Sequence, residues 1–409
     1  MPFFDFDDVV ENIVDELFLD KQHEDGTYYP ERLPKNFLKL ALVSHTFLNP
    51  VRRNLYRDVR IEGSERFLLL TGQLRFSPHL AKFVCKANLV STCTQSTHID
   101  GGGGWDDPTG SEPRTVSITA LRWFLDACPQ LTALNIFGGE FLHALALQTS
   151  DGAKRLTDIT LIACNQCESS GPMSCMDAVE AGWLKNIVAF PRLKELELSE
   201  FQIGGPGMDA VRGIPSRSSS CTGLCVSNMN KPLSPSGLKV LLRSMPHLAE
   251  LVLDGRHFLP PRELKECLKI VAGALTLLTI TDYYSSEERA DPWENDTVQE
   301  LRQLKTLSLN GVPVTPPFLN MLPPRLEHLR LSGGSLVRVS APIIVAWLRR
   351  DNFPLRRVLK KLEMVGEVRT NAAKGAPAAS DQQLAEIARL CRALSIEWIH
   401  KKDQYTDFF

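Results

Sequence analysis

The chain has almost no net charge: Lys+Arg 46 against Asp+Glu 48 leaves -2 at pH 7. That balance excludes a global field for nucleic acid or an anionic membrane, so neither is expected as a partner. Long hydrophobic runs are also missing. The run APIIVAWL at 341–348 is less than half of what a bilayer-spanning helix needs, so no membrane segment is expected. The opening MPFFDFDDVVENIVDELF has no basic n-region and no uninterrupted apolar core, and does not read as a signal peptide. Synthesis in the cytosol is the expectation, with a cytoplasmic or nuclear location. In that setting the Cys 10 are expected as reduced thiols rather than a disulfide framework, and the sequon Asn295-Asp296-Thr297 as unglycosylated. Signatures of catalysis are absent too: there is no H-E-x-x-H, no G-x-S-x-G and no Walker motif. The GGGG at 101–104 is not followed by Gly-Lys-Ser/Thr and reads as a loop. No enzymatic activity, cofactor or metal is therefore expected.

What is present is a period. The pattern L-x-x-L-x-L recurs after a Pro or a basic residue in PQLTALNI, KRLTDITL, PRLKELEL, PHLAELVL, RQLKTLSL and PRLEHLRL, whose first leucines are Leu131, Leu156, Leu193, Leu248, Leu304 and Leu326. Weaker copies begin at Leu80, Cys221, Leu275, Leu359 and Cys391. Within each copy the last apolar positions alternate with polar ones, the period of a half-buried strand. Between copies lie segments of helical period with Ser or Pro at their entries, such as SPSGLKVLLRSM, PPRELKECLKIV and SDQQLAEIARLC. One strand and one helix per repeat predict a curved α/β solenoid, with parallel strands on the concave face and helices on the convex face. The pattern resembles the leucine-rich repeat family. A doubly wound α/β enzyme also alternates strands and helices, but its strands are continuous apolar runs because both faces are buried. The polar intervening positions argue for the solenoid. Segments near 91–115, 203–220, 285–296 and 366–381 are rich in Gly, Pro, Ser and charge and are expected as loop insertions.

Ahead of the repeats, DVVENIVDEL at 8–17 places Val9, Val10, Ile13, Val14 and Leu17 on one helical stripe. FLKLALVSHTF at 37–47 supplies a second apolar helix, and 48–59 a third carrying Val51, Leu55, Tyr56 and Val59, with a break expected at Asn49-Pro50. Three short helices make a thin core that would gain from a covering partner. The residues Leu42-Val43-Ser44-His45-Thr46-Phe47 followed by Arg52-Arg53-Asn54-Leu55-Tyr56-Arg57 resemble an F-box of the form common in mushroom-forming (basidiomycete) fungi. Where that family opens with Leu-Pro, this chain has Asp5-Phe6.

The resemblance implies a short F-box-like helical module over 1–61 and a leucine-rich repeat domain over 62–409. It implies a substrate-recognition subunit of an SCF-type (cullin-RING) ubiquitin ligase, docking a Skp-type adaptor, and through it a cullin, by way of Phe6, Val9, Ile13, Val14, Leu17, Leu42, Val43 and Phe47. Arg52 and Arg53 read as a solvated helix face. The alternative is a leucine-rich repeat scaffold whose diverged F-box no longer docks.

The strand register also predicts the chemistry of the repeat face. Outward positions run from Ala133, Asn135, Phe137, Asp158, Thr160 and Ile162, through Glu195, Glu197, Glu250 and Asp254, to His328, Arg330, Lys361 and Glu363. The face therefore passes from mildly apolar through acidic to basic. Phe137, Thr160, Glu195, Glu197, Glu250, Asp254, His328 and Arg330 are the candidate contacts for a protein substrate, the acidic stretch favouring a basic segment. Glu195 and Glu197 lie about 7 Å apart as alternate strand residues, a separation that also occurs between inverting-glycosidase carboxylates. An open sheet has no deep pocket to raise one of their pKa values. Cys164-Asn165-Gln166-Cys167 with Cys175 has the spacing of half a zinc site, but Cys164 falls where leucine-rich repeats favour Asn or Cys after the strand.

Overall fold

The computed structural model describes residues 45–91, 116–138, 141, 144–145, 150–162, 186–199, 219–228, 235–255, 259–282, 298–312, 316–332, 339–350, 355, 357–366, 368 and 378–401. The chain forms two compact units, Met1–Leu193 and Lys194–Phe409. Each is an α/β stack of parallel strands in sequence order, one strand per repeat.

In the first unit, helix α1 (His45–Arg57) runs directly into strand β1 (Asp58–Glu62), followed by α2 (Gly63–Phe76), the single turn α3 (Pro78–Ala81), β2 (Lys86–Val90), α4 (Ile118–Ala127), β3 (Ala133–Phe137) and β4 (Asp158–Ile162). β1 to β4 pair in that order, all parallel. The expected break at Asn49-Pro50 is not there: Pro50 lies inside α1, and Val59 belongs to β1 rather than to a third helix. Proline costs a helix interior about 3 kcal/mol through the lost i→i−4 bond and ring clash. The helix nevertheless continues through Pro50, with Val51 fully buried and α1 packed on β1 and α3. The core is centred on Phe67, whose ring meets those of Phe124 and Phe141 edge-on at 5.4 and 5.3 Å. Gly152 is fixed by contact: a Cβ there would lie 2.3 Å from the Leu125 carbonyl carbon, while its N–H donates to Asp126 Oδ1 at 2.8 Å.

The second unit holds β5 (Glu195–Ser199), β6 (Gly223–Asn228), α5 (Pro235–Arg243), β7 (Glu250–Gly255), α6 (Pro261–Val271), β8 (Leu277–Asp282), β9 (Thr306–Asn310), β10 (His328–Ser332), α7 (Ala341–Leu348), β11 (Lys361–Val365), α8 (Asp381–Ala393) and β12 (Glu397–Lys401). These strands also pair consecutively and in parallel. The helix entries follow the sequence signals: α6 has Pro261 in its first turn, and Ser380 and Gln383 form a capping box at α8.

Two repeated hydrogen-bond devices explain the sequence period. A proline or basic residue precedes many first leucines because the chain turns there. The N–H of Leu131, Leu193, Leu248, Leu304 and Leu326 donates to the carbonyl three residues earlier, and Pro129, Pro191, Pro246 and Pro324 occupy the second position of four of these turns. Each strand entry is then fastened to the previous repeat. The carbonyl just before a strand accepts two successive N–H groups from the next: Lys194 from Thr222 and Gly223, Thr222 from Ala249 and Glu250, and so on through Lys305 and Glu327. Inward leucines such as Leu196, Leu251, Leu307 and Leu329 are at most 1% exposed, so each repeat completes its neighbour's core.

Most copies of the repeat lie in the expected register, and two do not. Leu80 sits on α3, and the strand after it starts at Lys86, so the true inward pair is Ala87 and Leu89; Cys85 precedes the strand and is half-exposed instead of an inward strand residue. Cys391 is buried on α8 rather than at a first-leucine position, and β12 begins after Ser395, which turns the chain at φ 60. Cys221 is buried at its first-leucine position as expected, and Cys267 is buried on α6. The four segments expected as loops fall largely outside the described residues, as do GGGG at 101–104 and the Cys164, Cys167 and Cys175 cluster. No helix among the described residues is long and apolar enough to cross a membrane.

Candidate functional site

Every strand presents one set of side chains to the core and the alternate set to an open face. In the first unit the register sets these outward residues in rails across the strands. The middle rail carries Arg60, Asn88, Asn135 and Thr160. Asn135 Nδ2 donates to Asn88 Oδ1 at 2.7 Å, and Asn88 Nδ2 donates to Asp58 Oδ1 at 2.6 Å. The amides thus form a directed chain ending on a carboxylate. Burial lifts the Asp58 carboxyl above its ordinary value, and Lys86, the Asn88 bond and Arg57 offset part of that shift. Beside this rail runs an apolar one, Val90, Phe137 and Ile162, all half-exposed. Phe137 and Thr160 are therefore both on the open face as expected. Asn88 was missed by the shifted frame at Leu80; the signal that marks it is K-A-N-L, a short alternation with Ala in a leucine slot.

In the second unit Glu195, Gly223 and Glu250 are register partners across β5, β6 and β7, as are Glu197, Cys225 and Val252. Asp254 follows on the same face of β7. Glycine between Glu195 and Glu250 leaves a low place flanked by carboxylates, with Cys225 beside it between Glu197 and Val252. Its electrostatics are visible in the Cys225 thiol, pushed up to about 12 first by burial and then by the charges of Glu197 and Asp254. Further along, the outward residues Leu277 and Thr279 of β8 and Thr306 and Ser308 of β9 are uncharged. β10 then presents His328 and Arg330, and β11 Lys361 and Glu363, in direct register. Glu363 is met by Lys401 at 3.5 Å, which leaves this region basic. Glu195, Glu250, His328 and Arg330 are exposed, whereas most other outward residues on these strands are half-buried. The acidic and basic groups expected from the register are all on this face, several strands apart.

Of the residues proposed to touch an adaptor, only Phe47 is described. Phe6, Val9, Ile13, Val14, Leu17, Leu42 and Val43 lie outside the described residues. Phe47 sits half-exposed on α1 with Leu48, Leu55 and Tyr56, while Val51 and Asn54 turn inward. Arg53 is exposed and Arg52 half-exposed on the same helix.

Two of the solved structures that are similar to the chain illustrate the likeness. One is the leucine-rich repeat-containing protein LegL7 from Legionella pneumophila, with a TM-score of 0.42 and 13% sequence identity, covering 83% of this chain and 97% of that one. The other is a crystal structure of the Rad7 and Elc1 complex in yeast, with a TM-score of 0.37 and 14% identity, covering 91% of this chain and 92% of that one. No protein-family model and no curated protein matches the chain.

Proposed function

We propose that the protein is a non-catalytic substrate receptor of an SCF-type (cullin-RING) ubiquitin ligase, acting in the cytoplasm or nucleus. Residues 1–61 dock a Skp-type adaptor, which links to the cullin, and the repeats hold a protein substrate; ubiquitin transfer belongs to the associated subunits. The observation that carries the substrate half is the open face of the second unit. It is an exposed, charged surface made of side chains that the core does not use, as a protein-binding face requires. The adaptor half rests on the F-box pattern of Leu42 to Phe47 and Arg52 to Arg57. It is supported by the partly uncovered apolar groups Phe47, Leu48, Leu55 and Tyr56 on α1, which a partner would cover.

Affinity capture of the intact chain with the proteasome blocked is the test. A Skp-type adaptor and a cullin are expected to co-purify with the wild type and to be lost from a Val43→Asp, Phe47→Asp double variant. A wild-type capture without adaptor would leave the second reading, a leucine-rich repeat scaffold with a diverged F-box, which the Asp5-Phe6 departure favours.

A further inference from the structure

On the proposed ligand face of the second unit, the charged groups are separated by a neutral interval, and the low place at Gly223 has no packing reason to be glycine. A Cβ added to Gly223 would meet only Glu195 Cγ at 3.4 Å, the Lys194 carbonyl oxygen at 3.8 Å and Glu195 Cα at 3.9 Å, ordinary contacts. A larger residue is sterically admissible there. What glycine provides is a notch about 10 Å across from β5 to β7, at about 4.8 Å per strand. Glu195 stands on one side of it and Glu250 on the other, both exposed. Four strand steps away, about 19 Å, Arg330 carries the opposite charge, with His328 beside it on the same strand. Among the described residues Glu195, Glu250 and Arg330 make no ion pair within the protein. Beyond β11 the basic block ends, because Glu397 on β12 is the register partner of Lys361.

We propose that this face takes an extended, two-block segment of a partner protein, with a Lys or Arg side chain seated over Gly223 between Glu195 and Glu250 and an acidic residue placed over Arg330. The inference rests on the reading of the open face as the ligand surface, and it specifies that ligand's spacing. An extended chain rises about 3.3 Å per residue, so the two blocks are about six residues apart. A segment carrying basic residues alone fills the notch and leaves Arg330 unused. A segment of mixed but unspaced charge meets repulsion at one end, because like charges face each other there.

The test is fluorescence anisotropy of labelled peptides on the full chain at low salt. The probes are Arg-Lys-Ser-Gly-Ser-Gly-Ser-Glu-Asp, a same-composition peptide with alternating charges, and a third with Ser in place of the two acids. The spaced peptide is expected to bind about tenfold tighter than the alternating one and to lose most of that margin at high ionic strength. Gly223→Leu and, separately, Glu250→Gln should weaken the spaced and the acid-free peptides alike, whereas Arg330→Glu should weaken only the spaced one. Spaced and alternating peptides binding within twofold of each other would overturn the two-block proposal, and so would an equal effect of Arg330→Glu on both basic peptides. Binding unchanged in Gly223→Leu would overturn the notch. Thermal melts of each variant establish that it is folded. Adaptor capture does not enter this assay, so its outcome stays separate from that of the ubiquitin-ligase reading.

Discussion

Replacing Leu251 by Ala isolates the principle on which the repeats stand. Leu251 is the inward residue of β7, fully buried, with register partners Leu224 and Leu278 at 2% and 0% exposure on either side. Truncation loses the transfer free energy of the deleted carbons and leaves a cavity between neighbours that β-sheet hydrogen bonds hold in place, a cost of about 3–5 kcal/mol. At about 2–4 °C per kcal/mol for a unit of this size, the thermal midpoint falls by roughly 6–20 °C. The next residue, Val252, points to the open face and is half-exposed; Val252→Ala is expected to cost under about 1 kcal/mol. Because each repeat touches only its neighbours, Leu251→Ala and Leu278→Ala should be non-additive by about 0.5 kcal/mol or more, whereas Leu251→Ala and Leu331→Ala should add. Thermal and denaturant melts of the four single variants and two doubles are the assay. Equal losses for Leu251→Ala and Val252→Ala would refute the inward-outward alternation. Coupling between Leu251 and Leu331 would refute the nearest-neighbour account.

Gly311 is held at φ +74, and a Cβ there would stand 1.9 Å from the Asp282 carbonyl oxygen; Gly311→Ala is expected to cost about 1–3 kcal/mol, read as a lower melting temperature, with Gly273→Ala as a control in open space. Glu386 accepts from Arg349 at 2.6 Å and from Arg389 at 2.8 Å, and these hydrogen bonds lower its carboxyl to about 2. A depressed folded value means the clamp stabilises above the ordinary carboxylate range and fades as pH falls toward 2, so wild type should exceed Glu386→Gln in melting temperature at pH 6 and match it near pH 2. Burial pushes the Cys221 thiol up to about 12 and those of Cys267 and Cys391 to about 11. A thiol-disulfide exchange reagent at pH 8 should leave these three unmodified in the folded chain and label them in denaturant, as mass spectrometry of the peptides would show.

How much of this was legible depended on which half of the motif carried it. L-x-L is a strand signal, since only period two puts both leucines inward. L-x-x-L is shared with helices, where residues three apart also lie on one face. At Leu80 and Cys391 the second half of the repeat is blurred, by Ala87 in one case and by Trp398 and His400 in the other. A helix end therefore imitated the copy, four residues early. At Pro50 the difference between sequence and structure has another origin. Local backbone preference predicts a break, and the tertiary packing of α1, in which Val51 is fully buried, overrides it.

The outward residues were legible as positions and only partly as a site. Alternation identifies Glu195, Glu250, His328 and Arg330 directly, because an outward residue is whatever the inward leucines leave over. It is silent on the residues that shape a surface by being small. Gly223 and Cys225 occupy outward positions of a copy recognised only through Cys221, Leu224 and Val226, and nothing in their own identity distinguishes a notch from a gap in a face. Register alone brings Glu195 and Glu250 to opposite sides of Gly223 although they are far apart in sequence, and register depends on every intervening turn and helix. Packing constrains the inward half of each strand to leucine-like residues, so that half repeats and can be read. The outward half is free of that constraint, and so it is the half in which a ligand's chemistry can be written.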